Sequence, residues 1–265
     1  MDTKNRKLVL IRGGGDLASG VGGILHRNGW QLVICELPEP MVVRRKVAFA
    51  ETVWEGLYQV EEIQSVLVET DQEVERALLA DKIAVVVDPE MKIADRFDFK
   101  AIVDARMLKT FQTPATTGGV PVIGLGPGFI AGENCLVVVE TKRGTSLGKI
   151  IWDGAAQPNT GTPGIVEGRG LERVLYTPCD GVVRPCVEIG DLVSQGQVLA
   201  VVGESAVVAP FDGLVRGMLR PGIRVRAHTK LGDVDPRREP GLESKISDKA
   251  LIIGRSVLKV IESLS

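Results

Sequence analysis

Short apolar runs, glycine-rich turns and helical spacings alternate along the first half of the chain. Residues 7–11 (K-L-V-L-I) form a largely apolar run of strand length, and a glycine cluster ends it just before a helical pattern at residues 16–28. Residues 31–35 (Q-L-V-I-C) and 83–87 (I-A-V-V-V) are further runs of the same kind. Because buried strands that alternate with helical segments are typical of parallel sheets, this half predicts an α/β domain.

The turn between the first strand and the first helix has the spacing of a phosphate-binding loop. Gly13, Gly15 and Ala18 fit G-x-G-x-x-G/A, in which small residues make the turn, let backbone approach a phosphate and let the helix pack on the strand. Asp16 stands at the helix start, where its carboxylate can cap free N–H groups but also repels a pyrophosphate. No Gly-Lys-Ser/Thr follows, so the turn is not a Walker A loop.

An acidic residue at the end of the second predicted strand extends this pattern. Glu36 follows residues 31–35, at the separation where a carboxylate accepts a hydrogen bond from a ribose hydroxyl in dinucleotide-binding proteins. The pattern therefore predicts a bound nucleotide or similar phosphorylated ligand. The alternative is that the glycines serve packing alone and that Glu36 is a solvated strand end.

Further candidate ligand groups follow later predicted strands. Asp88 and Asp104 each come directly after a buried run. Since ligands of open parallel sheets lie beyond the carboxyl ends of the strands, we expect Glu36, Asp88 and Asp104 to ring one crevice, although Asp is also common as a cap or turn former after a strand. Three glycines of the segment after residue 121 add a second candidate anion or cofactor cradle: Gly124, Gly126 and Gly128.

The second half of the chain contains an internal repeat. D-G-V-V-R at residues 180–184 recurs 32 residues later as D-G-L-V-R at residues 212–216. Short alternating strands in two similar halves predict a small β-sandwich, which resembles the barrel-sandwich hybrid of biotinyl and lipoyl domains. Those carriers display a modified lysine between their halves, whereas residues 201–210 contain no lysine. We therefore expect no biotin or lipoate.

These patterns predict an α/β fold with a Rossmann-like, mostly parallel sheet and a second, smaller all-β domain of the barrel-sandwich-hybrid type. The predicted boundaries are residues 1–165 for the first domain and 166–238 for the second, with the glycine- and proline-containing loop at residues 158–164 as the hinge. Residues 239–265 contain a helix that begins after Ser247 and has apolar residues at helical spacing. We expect this helix to pack back on the first domain.

Composition and charge exclude several classes of partner. The chain has 265 residues, of which 44% are hydrophobic and 25% charged, and this balance is ordinary for a folded protein. A formal net charge of −2, with no basic run longer than R-R-K at residues 44–46, argues against nucleic acid. No apolar run reaches the length of a membrane span and no signal peptide is apparent, so we expect a cytoplasmic protein without a membrane partner.

The cysteines and histidines do not have the spacing of a metal site. The four cysteines form no C-x-x-C pair, and the chain has two histidines, so no metal is expected. Each cysteine is best explained as a small buried apolar residue. Cys35 is a weak catalytic candidate because it directly precedes Glu36 at the ligand-facing end of a strand.

Six motifs are spread over nearly the whole length: G-G-G-D-L-A-S-G, E-L-P-E-P, V-R-R-x-V-A-F, G-L-G-P-G-F, P-N-T-G-T-P-G and G-D-V-D-P-R. This set resembles the YqeB-type accessory proteins of selenium-dependent molybdenum hydroxylases. The N-terminal part is also similar to the Rossmann domain of xanthine dehydrogenase accessory factors (XdhC-like), which act in supplying the sulfido ligand of the molybdenum cofactor. The resemblance implies a phosphate-binding role for four positions of the glycine turn: Gly13, Gly15, Asp16 and Ala18.

The resemblance predicts an accessory factor in the maturation of molybdenum hydroxylases, acting by cofactor binding or by sulfido or selenido insertion. Its expected cofactor is NAD(P) or a molybdopterin dinucleotide, and its expected partners are a molybdenum hydroxylase or other maturation proteins. Two alternatives stay open: an NAD(P)-dependent oxidoreductase, which Glu36 permits although no acid/base pair for hydride chemistry is apparent, and a non-catalytic cofactor-binding scaffold. The sequence decides neither whether a reaction is catalysed nor whether the protein is a homo-oligomer.

Overall fold

The chain divides into two compact units. A computed structural model describes residues 7–111, 117–158, 161 and 164–264. The first unit comprises Met1–Pro40, Phe49–Asn159 and Ile246–Ser265, and the second comprises Met41–Ala48 and Thr160–Lys245. Most of the predicted hinge at residues 158–164 lies outside the described residues.

The first unit contains a nine-stranded sheet, a small two-stranded sheet and four helices among the described residues. The strands are β1 (Leu8–Arg12), β2 (Gln31–Glu36), β3 (Leu57–Val60), β4 (Ile63–Leu67), β5 (Ile83–Val87), β6 (Ala101–Asp104), β7 (Val122–Leu125), β8 (Ile130–Ala131), β9 (Val137–Val139), β10 (Ile150–Ile151) and β11 (Gly154–Ala155). The helices are α1 (Asp16–Arg27), α2 (Thr52–Glu55), α3 (Asp71–Leu79) and α4 (Asp248–Ser263). The large sheet has the order β10-β9-β7-β6-β1-β2-β5-β4-β3, and β8 pairs with β11.

The large sheet is mixed. All neighbouring strands from β9 to β4 pair in parallel, and one antiparallel strand closes each edge, β10 next to β9 and β3 next to β4. The α/β class and the mostly parallel sheet agree with the sequence prediction. Both edge strands are short, with four residues in β3 and two in β10.

The predicted combination of a Rossmann-like sheet with a barrel-sandwich hybrid is wrong. In a doubly wound sheet, helices connect the successive parallel strands in both halves of the sheet. Here a 3₁₀ turn (Lys92–Asp95) connects β5 to β6, and no α-helix is found between β6 and β9 in the described part of those connections. The fold class is therefore α/β with a large mixed, mostly parallel sheet.

The central strands are apolar on both faces because helices cover both. On one face, residues of α3 such as Val74 and Leu78 pack in a core cluster with Leu10 and Val33. On the other face, Gly22 of α1 brings the helix close to Ile11. The predicted strand, glycine turn and helix at the start of the chain are confirmed, and they correspond to β1 and α1.

Helix α4 packs closely against α1. An added Cβ at Gly20 of α1 would lie 2.3 Å from the Cβ of Ala250, and one at Gly254 of α4 would lie 2.8 Å from the carbonyl oxygen of Gly20. The predicted N-cap of α4 is confirmed, since the Ser247 hydroxyl accepts a hydrogen bond from the N–H of Ala250. No helix among the described residues has the length and apolar character needed to cross a membrane.

The second unit contains two four-stranded antiparallel sheets among its described residues. Its strands are β12 (Val174–Tyr176), β13 (Gly181–Pro185), β14 (Leu192–Val193), β15 (Val198–Val202), β16 (Ser205–Val208), β17 (Gly213–Met218), β18 (Arg224–Val225) and β19 (Lys230–Asp235). The sheet orders are β12-β19-β17-β14 and β16-β15-β13-β18. The two repeat segments become β13 and β17, and each pairs with a short strand from the other half, β13 with β18 and β17 with β14.

The segment Met41–Ala48 belongs to the second unit through backbone and arginine contacts. The N–H of Met218 donates to the carbonyl oxygen of Val43 at 2.8 Å. Arg44 is buried and donates to the carbonyl oxygens of Leu242 and Lys245, while the Arg45 Nε donates to that of Met218. These two arginines of the V-R-R-x-V-A-F motif therefore hold the segment in place within its own unit.

Candidate functional site at the carboxyl edge of the large sheet

The carboxyl edge of the sheet brings Arg12, Cys35 and Asp104 side by side. Arg12 at the end of β1 pairs with Cys35 of β2 on one side and with Asp104 of β6 on the other. Residues that pair in neighbouring parallel strands point to the same face of a sheet. These three side chains therefore share one face, the one against which α3 packs.

Glu36 points to the opposite face because it is the next residue of β2 after Cys35. Its Oε2 accepts a hydrogen bond from the N–H of Gly14 at 2.6 Å, and its Oε1 accepts one from the N–H of Leu37 at 2.7 Å. Burial raises the pKa of Glu36, and the two N–H donors oppose that rise. The sequence predicted Glu36 and Asp104 in one crevice, but in the structure they lie on opposite faces of the sheet. Both oxygens of Glu36 accept hydrogen bonds from backbone N–H groups.

The glycine turn is covered on the Glu36 side by the segment that precedes α2. The carbonyl oxygen of Gly14 accepts a hydrogen bond from Ala50, and an added Cβ at Gly14 would lie 2.8 Å from the same nitrogen. The Ser19 hydroxyl accepts a hydrogen bond from the N–H of Phe49. Gly14, which lies inside the predicted motif but outside its three fixed positions, is thus needed for close packing.

The predicted phosphate-binding positions lie where the sequence placed them along the turn. Gly13 has a left-handed φ of 89°, which favours glycine, and its N–H donates to the carbonyl oxygen of Cys35. Gly15 is the N-cap residue of α1, Asp16 is the first residue of the helix, and Ala18 is buried. Their role in binding a ligand stays a prediction.

Two arginines share one carboxylate beside the turn. The Arg106 guanidinium binds Asp104 with both arms, from Nε at 2.9 Å and from Nη2 at 2.6 Å, and the Arg12 Nη1 lies 3.8 Å from the same carboxylate. An added Cβ at Gly13 would lie 3.5 Å from the Arg106 side chain. The arginine pair thus lies next to the first glycine of the turn. We call Arg12, Asp104 and Arg106 the arginine pair site.

Arg12 has few acceptors for its donors. Among the residues that the structure describes, its guanidinium donates one hydrogen bond, to the carbonyl oxygen of Pro89 at 2.8 Å, and its buried Nε has no acceptor. A guanidinium has five N–H donors. Burial and the neighbouring Arg106 lower the pKa of Arg12, and the carboxylates of Asp104 and Asp88 only partly offset them. A negatively charged ligand would supply further hydrogen-bond acceptors and a negative charge to the Arg12 guanidinium.

Both arginines lie outside the ligand groups predicted from the sequence. Arg12 ends the apolar run directly before the glycines, and Arg106 stands two residues after Asp104. A cation at the end of a buried strand is an available signal, since an unpaired buried charge is costly. Their approach to one carboxylate depends on the pairing of β1 with β6, which spacing along the chain does not reveal.

Asp88 and Cys35 have simpler surroundings. The Asp88 Oδ2 accepts a hydrogen bond from the N–H of Ile93 at 2.8 Å, so this carboxylate caps the 3₁₀ turn between β5 and β6, as the turn-former alternative predicts. Cys35 is buried, and burial together with Asp88 raises the pKa of its thiol far above the usual range. No group of three His, Cys, Asp or Glu residues within the described ranges could hold a metal ion.

Packing accounts for the glycines of the second predicted cradle. An added Cβ at Gly124 would overlap the Phe129 ring at 2.3 Å, and one at Gly126 would lie 2.4 Å from the Thr141 hydroxyl. At Gly128 the same atom would lie 2.8 Å from the carbonyl oxygen of Thr110. Gly126 and Gly128 also have positive φ values of 75° and 99°. A ligand role for these three glycines stays a prediction.

The G-D-V-D-P-R motif forms a buried charge cluster in the second unit. Asp235 of β19 is fully buried and binds Arg237 with both arms, at 2.9 and 2.6 Å. Arg216 lies 3.6 Å from Asp235, and Arg173 lies 3.9 Å from Asp235 and 3.3 Å from Asp233. Burial raises the pKa of Asp233, whereas hydrogen bonds and charges of the arginines outweigh burial and lower that of Asp235.

Comparisons with known proteins identify one relative over nearly the whole chain. The chain is 40% identical over 258 residues to a protein of Escherichia coli K12 described as uncharacterized protein YqeB. The match covers 97% of this chain and 48% of YqeB, so the chain spans about half the length of that relative. This similarity supports the YqeB-type label that the motifs predicted. No family model matches the chain.

Solved structures give only a weak likeness. An aspartoacylase family protein from Mesorhizobium loti is 13% identical, with a TM-score of 0.26 and coverage of 87% of this chain and 84% of that one. A succinylglutamate desuccinylase from Silicibacter sp. is 11% identical, with a TM-score of 0.26 and coverage of 86% and 84%. TM-scores this low carry no argument about this chain.

Proposed function

From the similarity to YqeB and the arginine pair site, we propose that this protein is an accessory factor in the maturation of molybdenum hydroxylases, including selenium-dependent ones. In this proposal it binds a phosphorylated ligand at the carboxyl edge of the large sheet. One observation carries the ligand part: the guanidinium groups of Arg12 and Arg106 share the single carboxylate of Asp104 next to Gly13. Arginine is well suited to phosphate because its planar fork matches the phosphate oxygens.

A molybdenum cofactor fits this edge through its phosphate. Arg12 and Arg106 are the residues that would hold the phosphate, with the backbone of Gly13 beside them. The bound cofactor would supply the metal chemistry of the hydroxylase that receives it, while residues of this chain bind and orient it. Sulfido or selenido insertion is a finer proposal, and it needs a sulfur or selenium donor other than the buried Cys35.

The oxidoreductase alternative has less support. A dinucleotide in the Rossmann manner uses the acid after the second strand to bind ribose. Glu36 instead accepts two backbone hydrogen bonds and lies on the face away from the arginine pair site. NAD(P) therefore fits this edge less well than a ligand recognised through its phosphate alone.

The scaffold alternative has specific support from Cys35. A nucleophilic cysteine needs a thiolate, and burial with a nearby Asp88 opposes thiolate formation at this position. We therefore favour a protein that binds and presents a cofactor over one that forms a covalent bond through Cys35. Its proposed recipient is a molybdenum hydroxylase or another maturation protein.

Complementation tests the proposed function. In cells that lack the gene, a molybdenum hydroxylase should accumulate with reduced activity and a reduced molybdopterin content, and the wild-type gene should restore both. The double variant Arg12→Lys, Arg106→Lys should fail to restore them. Arg76→Ala is the matched control, because Arg76 is an exposed arginine of the same unit, with 73% of its side chain accessible. Equal hydroxylase activity with and without the gene would contradict the maturation role.

A further inference from the structure

The glycine turn has two sides that differ in what they can bind. On the Glu36 side, the Gly14 N–H is taken by the Glu36 carboxylate and the space above Gly14 is filled by Ala50. On the other side, Gly13 lies next to Arg106, and Arg12 lies on the same face of the sheet as Asp104. A ligand that spans the turn would have to displace protein on one side only.

The charges of the two sides also differ. The Glu36 side presents a buried carboxylate, which repels an anion. On the arginine side, Asp104 is satisfied by the two arms of Arg106, and the Arg12 Nε has no acceptor among the described residues. Asp104 already binds Arg106 with both oxygens, so it neutralises Arg12 only in part, and Asp88 is a second carboxylate whose charge acts on Arg12.

We infer that the site binds a tetrahedral oxyanion, the terminal phosphate of a monoester, on the Arg12 and Arg106 side of the glycine turn. The phosphate accepts hydrogen bonds from the Nη groups of Arg12, while Asp104 continues to orient Arg106. The inference rests on the proposed function and narrows its ligand class. It excludes the binding mode in which a pyrophosphate crosses the turn to Gly14 and a ribose contacts Glu36.

The chemistry of the donors favours a monoester over a dinucleotide. A terminal phosphate presents up to two negative charges and three free oxygens to an arginine fork. Each phosphate of a pyrophosphate diester carries one charge and two free oxygens, and its second phosphate would meet Ala50 or Glu36 at this turn. The nucleoside part of the ligand contributes little to recognition in this arrangement.

Calorimetric titration at constant ionic strength tests the inference with three probes: inorganic phosphate, AMP and NAD. Wild-type protein is expected to bind phosphate and AMP with affinities of the same order of magnitude, and NAD more weakly. Arg12→Lys keeps the charge but removes the fork, and it should weaken AMP binding by on the order of tenfold or more, which corresponds to one lost charge-assisted hydrogen bond. Arg76→Ala should leave AMP affinity unchanged.

A second variant keeps the test decisive if Arg12→Lys does not fold. The Arg106 side chain is 29% exposed, so Arg106→Lys should fold normally, and it should also weaken AMP and phosphate binding. Thermal unfolding of both variants without ligand shows whether the fold persists. Absence of phosphate and AMP binding to wild type, or unchanged AMP affinity in both folded lysine variants, overturns the inference.

The same titrations separate this inference from the proposed function. If NAD binds more tightly than AMP and its affinity is insensitive to Arg12→Lys, the ligand lies on the Glu36 side and the inference is wrong, while a role in hydroxylase maturation can still hold. If AMP binds as expected but hydroxylase activity in cells does not depend on the gene, the binding site stands and the maturation role is wrong.

Discussion

Glu36 Oε2 accepts a hydrogen bond from the backbone N–H of Gly14 across 2.6 Å, so the strand end of β2 holds the turn that follows β1. The sequence pattern assigned this carboxylate to a ribose. In the structure its two oxygens accept from the N–H groups of Gly14 and Leu37, and it is buried. The same acid thus stabilises the shape of the glycine turn and removes Gly14 from the donors available to a ligand.

Glu36→Gln should reduce the loss of unfolding free energy that occurs as the pH rises. Burial raises the pKa of Glu36 above its ordinary value of 4.5. Between that value and the folded pKa, the folded state therefore keeps a proton that the unfolded chain has released. The contribution of Glu36 to the free energy of unfolding is therefore largest below about pH 4.5 and falls as the pH rises through the folded pKa. Glutamine does not titrate, so the free energy of unfolding of the variant should increase relative to that of wild type as the pH rises.

Urea unfolding followed by tryptophan fluorescence measures this difference, since all three tryptophans lie in the first unit. Glu39→Gln is the control, because Glu39 is exposed near the same strand end. Stability curves of wild type and Glu36→Gln that stay parallel from about pH 4.5 to neutral pH would show that Glu36 does not titrate differently on folding.

Gly20→Ala should destabilise the first unit by about 2 kcal/mol, within the usual cost of overpacking. The new Cβ would lie 2.3 Å from the Cβ of Ala250 and 2.7 Å from its carbonyl carbon, so α1 and α4 must separate. The matched control is Gly22→Ala in the same helix, where the nearest atom is 3.4 Å away on the Phe49 ring. That control should be neutral or slightly stabilising, because alanine is the better helix former by up to about 1 kcal/mol.

Urea unfolding of the two glycine variants distinguishes them, and the double variant Gly20→Ala, Ala250→Gly adds a further check. Removal of the Ala250 methyl should restore little stability, because the backbone of Ala250 remains within 3 Å of the new Cβ. Full recovery of stability in the double variant would show that the steric clash involves only the two methyl groups.

The sequence predicted local elements well where one periodic signal dominates. The apolar run before Gly13, the helix that starts at Asp16 and the capped helix after Ser247 are all found. The sequence did not show which acids share a face. Register decides that, and a side chain changes face with each step along a strand. Glu36 follows Cys35 in β2, and this single step separates it from Asp104.

The strand, glycine turn and helix at the start of the chain do not by themselves determine the fold class, and some of the nearby glycines serve close packing. Gly14 lies against Ala50 and Gly20 lies against Ala250, so part of the small-residue pattern is set by packing of backbone on backbone. The phosphate-binding pattern and this packing pattern look alike in sequence. The crossovers after β5 supplied the distinguishing feature, since a Rossmann-like sheet would need helical segments there.

Cys35 should resist alkylation in the folded protein. The thiolate is the reactive form, and burial with the Asp88 charge raises the pKa of this thiol far above its usual range. Mass spectrometry after iodoacetamide treatment at about pH 8 should find Cys35 unmodified and the exposed Cys186 modified. Cys35→Ser should activate a molybdenum hydroxylase in cells as well as wild type and the control Cys186→Ser do. Loss of activation with the Cys35 variant alone would return this thiol to the mechanism.

Asp235→Asn should destabilise the second unit by roughly 3–5 kcal/mol, the usual effect of removing one partner of a buried ion pair. Asp235 is fully buried with three arginines around it, and an amide leaves Arg216 and Arg237 without their carboxylate. Asp233→Asn is the matched control on the same strand. Burial raises the pKa of Asp233, so its ionised form is disfavoured in the folded state and a neutral amide should cost less there.

Hydrogen exchange of β17 and β19 amides is the measurement for these two variants, because the tryptophans report only on the first unit. The exchange protection of both strands should fall strongly in Asp235→Asn and only slightly in Asp233→Asn. The sign with pH follows from the lowered pKa of Asp235: its stabilising contribution is present above the ordinary value of 3.8 and is lost as the pH falls through the folded pKa. Equal loss of protection in the two variants would mean that the arginines do not depend on Asp235 in particular, and that the motif acts only through its overall charge.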